Sequence, residues 1–261
     1  MAPNKAIPLS PALDAAALQI DVSGVSLADK NVLITGAASG MGAAIAQAAY
    51  ITLVDINHAL GAAVASQLQH RGLHAQFVAA DVTSWPAQVA AFKAALRFHP
   101  AHRLDIVVAN AGAVGEPLIG GNDNNDADNA DTVALDGPDP PQPDTYPWAV
   151  NSVGIAFTAK LAQLYFETAA ATSTDEHVDH AKSLVLVSSV AAYLDFPGMA
   201  AYCGSKFGAR GLFRNIRATF AARGIAVNML APHIYDTPMC AAFLPVFRHV
   251  GLPVSDMGCV S

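Results

Sequence analysis

The sequence predicts an α/β domain over residues 29–261, a doubly wound parallel β-sheet with helices on both faces, behind an N-terminal extension of residues 1–28. Three observations carry this expectation. Short, almost wholly apolar runs recur along the chain, as strands buried on both faces should. Longer alanine-rich segments of helical character stand between them. A glycine-rich turn, Thr35-Gly36-Ala37-Ala38-Ser39-Gly40-Met41-Gly42, follows the first run. At 261 residues, 53% apolar and 13% charged, the chain is long enough for one sizeable core.

In chain order, the predicted strands are NVLIT (31–35), ITLVDI (51–56), AQFVAAD (75–81), DIVVAN (105–110), SLVLVSS (183–189) and IAVNML (225–230). Each is short and lacks the polar alternation of a half-solvated strand. The predicted helices lie in 58–72, 84–98, 145–170 and 200–224, and Gly72 and Gly224 suit left-handed C-terminal caps. Strand followed by helix throughout requires parallel crossovers. The connection from Gly42 to Asp55 is the tight one. A helix over 41–50 would rise about 15 Å and the next strand spans about 17–20 Å. That leaves no residues for the reversal, where ordinary connections use about two to six. Part of the helix must unwind, or the strand must start late.

The net charge of −7 comes from 21 acids against 14 bases, and seven of the acids are aspartates between Asp123 and Asp144. They fall in 115–147, rich in Asp, Asn, Gly and Pro, which reads as a long solvated loop. A calcium loop starting at Asn124 fails its pattern, because Asn129 stands at the glycine position and Leu135 at the position of the closing glutamate. His177 and His180 lack the spacing of a helical zinc pair, so no metal is expected. With neither a basic stripe nor a Lys/Arg cluster read from the chain, nucleic acid and anionic membranes are not expected partners. Residues 31–54 carry no charge, but their glycines and hydroxyls read as strand, turn, helix and strand rather than a membrane span. Three cysteines without a CxxC pair, and an N-terminus without a signal core, point to a reducing, cytoplasmic setting.

Glycines in the turn let the backbone approach a pyrophosphate, and the following helix offers free N–H groups; the alternative is that they only pack strand against helix. Asp55 ends the second strand, where a carboxylate can accept from ribose hydroxyls and repel a 2′-phosphate, or merely cap the next helix. Tyr202 and Lys206, four apart on a predicted helix, share one face. A phenol titrates near 10, and a nearby ammonium is expected to pull that value toward neutrality. Ser189 ends a strand and can return to face the tyrosine. Seen alone, a Tyr-x-x-x-Lys spacing is ordinary surface helix.

Taken together, these residues resemble the short-chain dehydrogenase/reductase family from about Asp29 to Met239. Gly36, Ser39, Gly40, Met41 and Gly42 match its cofactor turn, Asp55 its ribose acid, and Asp81 with Val82 its adenine side. Asn110-Ala111-Gly112 matches the fourth-strand motif, and Tyr235 and Thr237 the segment that meets the nicotinamide. Asn151, Ser189, Tyr202 and Lys206 match the catalytic quartet. The resemblance implies a Rossmann-type NAD(P)-binding domain that transfers a hydride between nicotinamide and an alcohol or carbonyl, with NAD preferred over NADP. Tyr202 would be the general acid or base and Ser189 would orient the substrate oxygen. Lys206 would bind the nicotinamide ribose, and Asn151 would hold a water leading to solvent. A small-molecule alcohol or ketone substrate, a homodimer or homotetramer, and a place in a specialised biosynthetic pathway are the corresponding expectations.

Against the family pattern, the Gly42–Asp55 connection is short and His233 replaces a glycine after Pro232, which threatens strain. The segment after Met239 holds no clear last strand, leaving the sixth as an edge. A rival reading follows: a catalytically impaired or non-catalytic relative serving as scaffold or partner. The substrate pocket is expected from 190–199 and from the residues after Thr237. Phe207, Phe213 and Phe220 read as packing residues, and Cys203 has no assigned role.

Overall fold

The structure, a computed structural model, describes residues 26–46, 50–118, 141–170, 182–241, 244–245 and 254–255, with Gly137 and Asp139. Most of the predicted extension and acidic loop, the calcium register, and His177 and His180 lie outside the described residues. Six strands, β1 (Asn31–Thr35), β2 (Tyr50–Asp55), β3 (His74–Ala79), β4 (Ile106–Ala109), β5 (Lys182–Val187) and β6 (Ile225–Leu230), form one parallel sheet in the order β3-β2-β1-β4-β5-β6. The order reverses between β1 and β4, which opens a crevice at their carboxyl ends.

The helices are α1 (Gly40–Ile45), α2 (His58–His70), α3 (Trp85–Phe98), a short α4 (Tyr146–Trp148), α5 (Ile155–Ala170) and α6 (Ala200–Ala221). Strand alternation sorts them onto two faces. Leu33, Val107 and Leu184 turn toward Phe92 of α3, Phe166 of α5 and Phe220 of α6. Val32, Ile34, Ile51 and Leu53 turn the other way, toward Ala65 and Leu68 of α2. β1 is buried along its whole length, as the central strand of a doubly wound sheet must be.

The tight connection resolves by giving up helix. α1 is six residues long, and Ala46 leaves helical geometry at ψ 74°. β2 begins at Tyr50 and pairs with β1 from Asn31↔Tyr50 to Thr35↔Val54. Residues 47–49 lie outside the described residues.

At the opposite end of the sheet, Asn31 and Asp105 tie β1, α3 and β4 together. The Asn31 N–H donates to Asp105 Oδ2 at 2.8 Å, and its side-chain amide donates to the carbonyls of Ala95 and Arg103 at 2.8 and 2.6 Å. Arg103 Nε donates to the same Asp105 oxygen at 3.1 Å, and its guanidinium reaches Asp29 at 2.8 Å. Asn31 and Asp105 are fully buried. Arg103 holds the Asp29 carboxyl below its ordinary range.

Three expectations change here. α6 places Arg210, Arg214 and Arg217 along one face beside Tyr193 and Phe213, with the Arg210 guanidinium 3.9 Å from the Tyr193 ring centre, so an arginine cluster does exist. Spread at helical spacing, it escapes a search for adjacent charges. Phe220 is buried and Phe213 packs against the core, but Phe207 is 47% exposed and is not a packing residue within the chain. The segment after Met239 contributes Val254–Ser255, which pairs in parallel with Ile234–Tyr235 as a separate two-stranded sheet of β7 and β8. Among the described residues nothing pairs with the outer side of β6, whose residues alternate between buried and more accessible, as an edge strand's should.

Asp105→Ala leaves the Arg103 Nε–H and the buried Asn31 N–H without their acceptor. It should lower unfolding stability by about 3 kcal/mol, read as a fall in denaturation midpoint at unchanged slope.

Candidate active site

The turn after β1 is clamped by β4. Gly36 adopts φ +65°, and a Cβ there would lie 2.6 Å from the Ala111 Cα. A Cβ on Gly42 would fall 2.1 Å from the Gly36 carbonyl oxygen. Only glycine fits either position. The Asn110 side-chain amide donates to the carbonyls of Thr35 and Gly36 at 3.1 and 2.9 Å, and Thr35 Oγ1 accepts from the N–H groups of Asn110 and Ala111. Asn110 therefore shapes the turn from behind. Ser39 precedes α1 without capping it through its side chain, and the first N–H groups of the helix, at Gly40 to Gly42, have no helical carbonyl behind them. Thr237 lies across from Gly40, its methyl 3.5 Å from the position of a Cβ there.

Asp55 meets this turn. Its Oδ2 accepts from the Ala38 N–H at 2.9 Å and its Oδ1 from the Asn57 N–H at 2.9 Å. The capping alternative fails, because Asn57 caps α2 by accepting from the Leu60 N–H. Asp55 instead lines an open groove with Gly36, Asp81, Val82, Gly112 and Tyr146. Asp81 Oδ1 accepts from the N–H and hydroxyl of Thr83, both at 2.8 Å, which fixes the bend after β3. Tyr146 had no signal in the sequence, and the coulombic pull of Asp81 and Asp144 adds to burial in raising its phenol.

The four residues expected to act in catalysis come together from three elements. Asn151 sits in a π-helical segment, Ala149–Gly154, between α4 and α5. Its side chain is fully buried and committed to protein: it donates to the Ala113 carbonyl at 2.7 Å and to Ser205 Oγ at 2.8 Å, and accepts from the Ala113 N–H at 2.8 Å. Ser189 follows β5 and begins the 3-10 turn Val190–Ala192, where its hydroxyl accepts from the Ala191 N–H at 3.1 Å and lines the same pocket as Tyr202. Lys206 is 3% exposed; its Nζ donates to the Val187 carbonyl at 3.2 Å and lies 5.6 Å from the centre of the Tyr202 ring. Gly112 lies close to the same ammonium: a Cβ there would be 3.5 Å from Nζ and 3.5 Å from the Met239 methyl.

The electrostatics differ from the expectation that Lys206 draws the tyrosine down. Burial pushes the Tyr202 phenol up, and the nearby Ser189 hydroxyl is the main opposing effect. Burial also lowers Lys206 from its ordinary value near 10.5 to about 8. Desolvation outweighs the mutual benefit of the pair.

Beside Tyr202 and Ser189 lies a mostly apolar pocket formed by Val114, Phe196, Met199, Ile234, Met239 and others. The expected segments supply most of it, and Val114 was not foreseen. The loop is not strained at His233: among the described residues outside glycine, only Asp29 and His102 have positive φ. Tyr235 lies in β7, one residue beyond Ile234. Among the described residues no group of His, Cys, Asp or Glu is arranged to hold a metal ion, and no helix is long and apolar enough to cross a membrane.

A family model described as short chain dehydrogenase matches residues 30–138 and 149–245. The chain belongs to the short-chain dehydrogenase/reductase family. Its Rossmann-type sheet and its oxidoreductase class follow from that membership. The 5'-hydroxyaverantin dehydrogenase of Dothistroma septosporum is 39% identical over 92% of this chain and 78% of that protein. A dehydrogenase of the same name in Emericella nidulans is 41% identical over 83% of this chain and 70% of that one. Among solved structures, the 3-ketoacyl-(acyl-carrier-protein) reductase of Brucella melitensis complexed with NADH superposes with a TM-score of 0.68. It is 25% identical, covering 88% of this chain and 87% of that one. Despite its short α1, the chain keeps Gly36, Asp55, Asp81, Val82 and Gly112 on one groove and Ser189 and Tyr202 on a pocket.

A buried ammonium has a stability signature. With Lys206 lowered to about 8, its folded state sheds a proton before the unfolded chain does. The burial penalty is complete below pH 8, about 3 kcal/mol, and is relieved as pH rises toward 10.5. Lys206→Met should therefore melt above the wild type at pH 7, with the gap narrowing from about pH 8 to 10, as followed by calorimetry.

Proposed function

We propose that this protein is an active, NAD-preferring dehydrogenase that interconverts a secondary alcohol and a ketone on a largely apolar small molecule. The hydrogen bond between the Asp55 carboxylate and the Ala38 N–H carries this reading, because it joins the two ends of the shortened connection on one groove. The residues fit a dinucleotide: open N–H groups at Gly40 to Gly42 for the pyrophosphate, and Asp55 for a ribose with free hydroxyls. Asp81 and Val82 would flank the adenine. Tyr235 and Thr237 would meet the nicotinamide end. Bound NAD supplies the hydride acceptor or donor.

The chain's own residues handle the proton. Tyr202 carries it at its phenol oxygen; burial raises the phenol and so keeps it protonated at rest, and giving the proton to a ketone oxygen requires the charge left on the tyrosine to be offset. Ser189, on the same pocket wall as the phenol, would hold the substrate oxygen beside it. Lys206, charged at neutral pH, binds the ribose and offsets negative charge developing on the tyrosine. Asn151 acts as a positioning residue, fixing Ala113 against Ser205, one residue before Lys206. A water held by the backbone of its π-helical segment would extend the proton path. The apolar pocket and the relatives named as 5'-hydroxyaverantin dehydrogenases favour a hydroxylated substrate of specialised biosynthesis. A homodimer or homotetramer in the cytoplasm is the form that the family resemblance implies.

A melting curve with NAD, NADH, NADP and NADPH tests cofactor use. NAD or NADH at 100 times Kd should add about 2.7 kcal/mol, and NADP or NADPH distinctly less at equal concentration. If none of the four raises the midpoint, the dehydrogenase reading fails and the non-catalytic one returns. Tyr202→Phe should keep that thermal shift while losing about two orders of magnitude or more in turnover.

A further inference from the structure

His233 occupies the wall of the substrate pocket next to Ser189 and Tyr202, yet the proton-handling set does not use it. The pocket is otherwise built mainly from hydrocarbon and thioether groups, among them Phe196, Met199, Ile234 and Met239. Apart from Ser189 and Tyr202, its heteroatom donors are His233 and the weakly bonding thiol of Cys240. The His233 imidazole makes no hydrogen bond or ion pair with any described residue.

The histidine is held rigidly on both sides. The Pro232 carbonyl accepts from the Val190 N–H at 3.0 Å, which ties the loop to the turn that carries Ser189. The following Ile234 is buried and begins β7, paired with Val254. His233 thus sits in fixed register with the reacting centre, in an ordinary backbone conformation. A neutral imidazole offers one donor and one acceptor. A wholly apolar substrate filling the pocket would strip water from it without replacement, whereas a ligand oxygen would satisfy it.

We propose that His233 is a specificity-determining residue that hydrogen-bonds a second oxygen of the substrate, a hydroxyl or carbonyl remote from the reacting carbon. The pocket then selects an apolar ring system bearing a further oxygen function. This rests on the dehydrogenase reading for the position of the reacting carbon.

The test uses 1-(2-naphthyl)ethanol and its ring-hydroxylated isomers, with binding followed by naphthalene fluorescence in the presence of NADH and turnover followed separately. At least one hydroxylated isomer should bind the wild type about five- to tenfold more tightly than the parent. His233→Phe should erase that preference, read as the ratio of the isomer's Kd to the parent's in the same variant, and His233→Gln, which keeps a donor and an acceptor, should restore part of it. A wild type that prefers no isomer, or a preference that survives His233→Phe, overturns the proposal. Discrimination in binding without any dinucleotide-dependent turnover would instead sink the dehydrogenase reading and leave the role of His233 standing.

Discussion

The site depends on a close approach of backbones between the turn after β1 and the end of β4. Gly36 and Ala111 lie nearer than any side chain would allow, and Asn110 bonds both carbonyls at the corner. Because β4 is thereby locked to the turn, Gly112 and Ala113 are delivered to the other half of the crevice. There they meet Lys206 and Asn151. The Asp55 groove and the cluster around Lys206 and Asn151 thus meet at two ends of one clamped segment.

This clamp explains why the short connection is tolerated. What β2 must satisfy is its register with β1, which requires Tyr50 opposite Asn31 and Asp55 just beyond Val54. The six residues of α1 rise only about 9 Å. The sheet spends its hydrogen bonds on strand pairing and lets the helix shorten, since a helix of that length has little stability of its own to lose. Asp55 then secures the turn through Ala38, replacing some of the rigidity that a longer helix would bring.

Much of the sheet was legible because buried parallel strands leave an unmistakable apolar signature. β1 and β6 match their runs to the residue, while β2 and β3 begin one residue earlier, at Tyr50 and His74, which pair with each other despite reading as non-strand. Their aromatic rings stack at 4.5 Å, a tertiary contact that overrides the local pattern. Site residues with backbone duties, such as the turn glycines, were readable from spacing. Those whose roles depend on burial were not. That Asn151 spends its amide on Ala113 and Ser205, and that Lys206 is desolvated, are consequences of distant segments folding over them. The arginines of α6 were visible in the sequence, at helical spacing, and a count of adjacent charges passed over them.

The buried lysine also bears on what fixes the residue at that position. An ammonium held 3% exposed, with one carbonyl as its hydrogen-bond partner among the described residues, weakens the fold that surrounds it. Many replacements there would relieve the penalty, so the stability of the fold gives no reason for a lysine. What the position supplies is a positive charge kept dry beside the Tyr202 ring, sustained by the surrounding scaffold against its own stability.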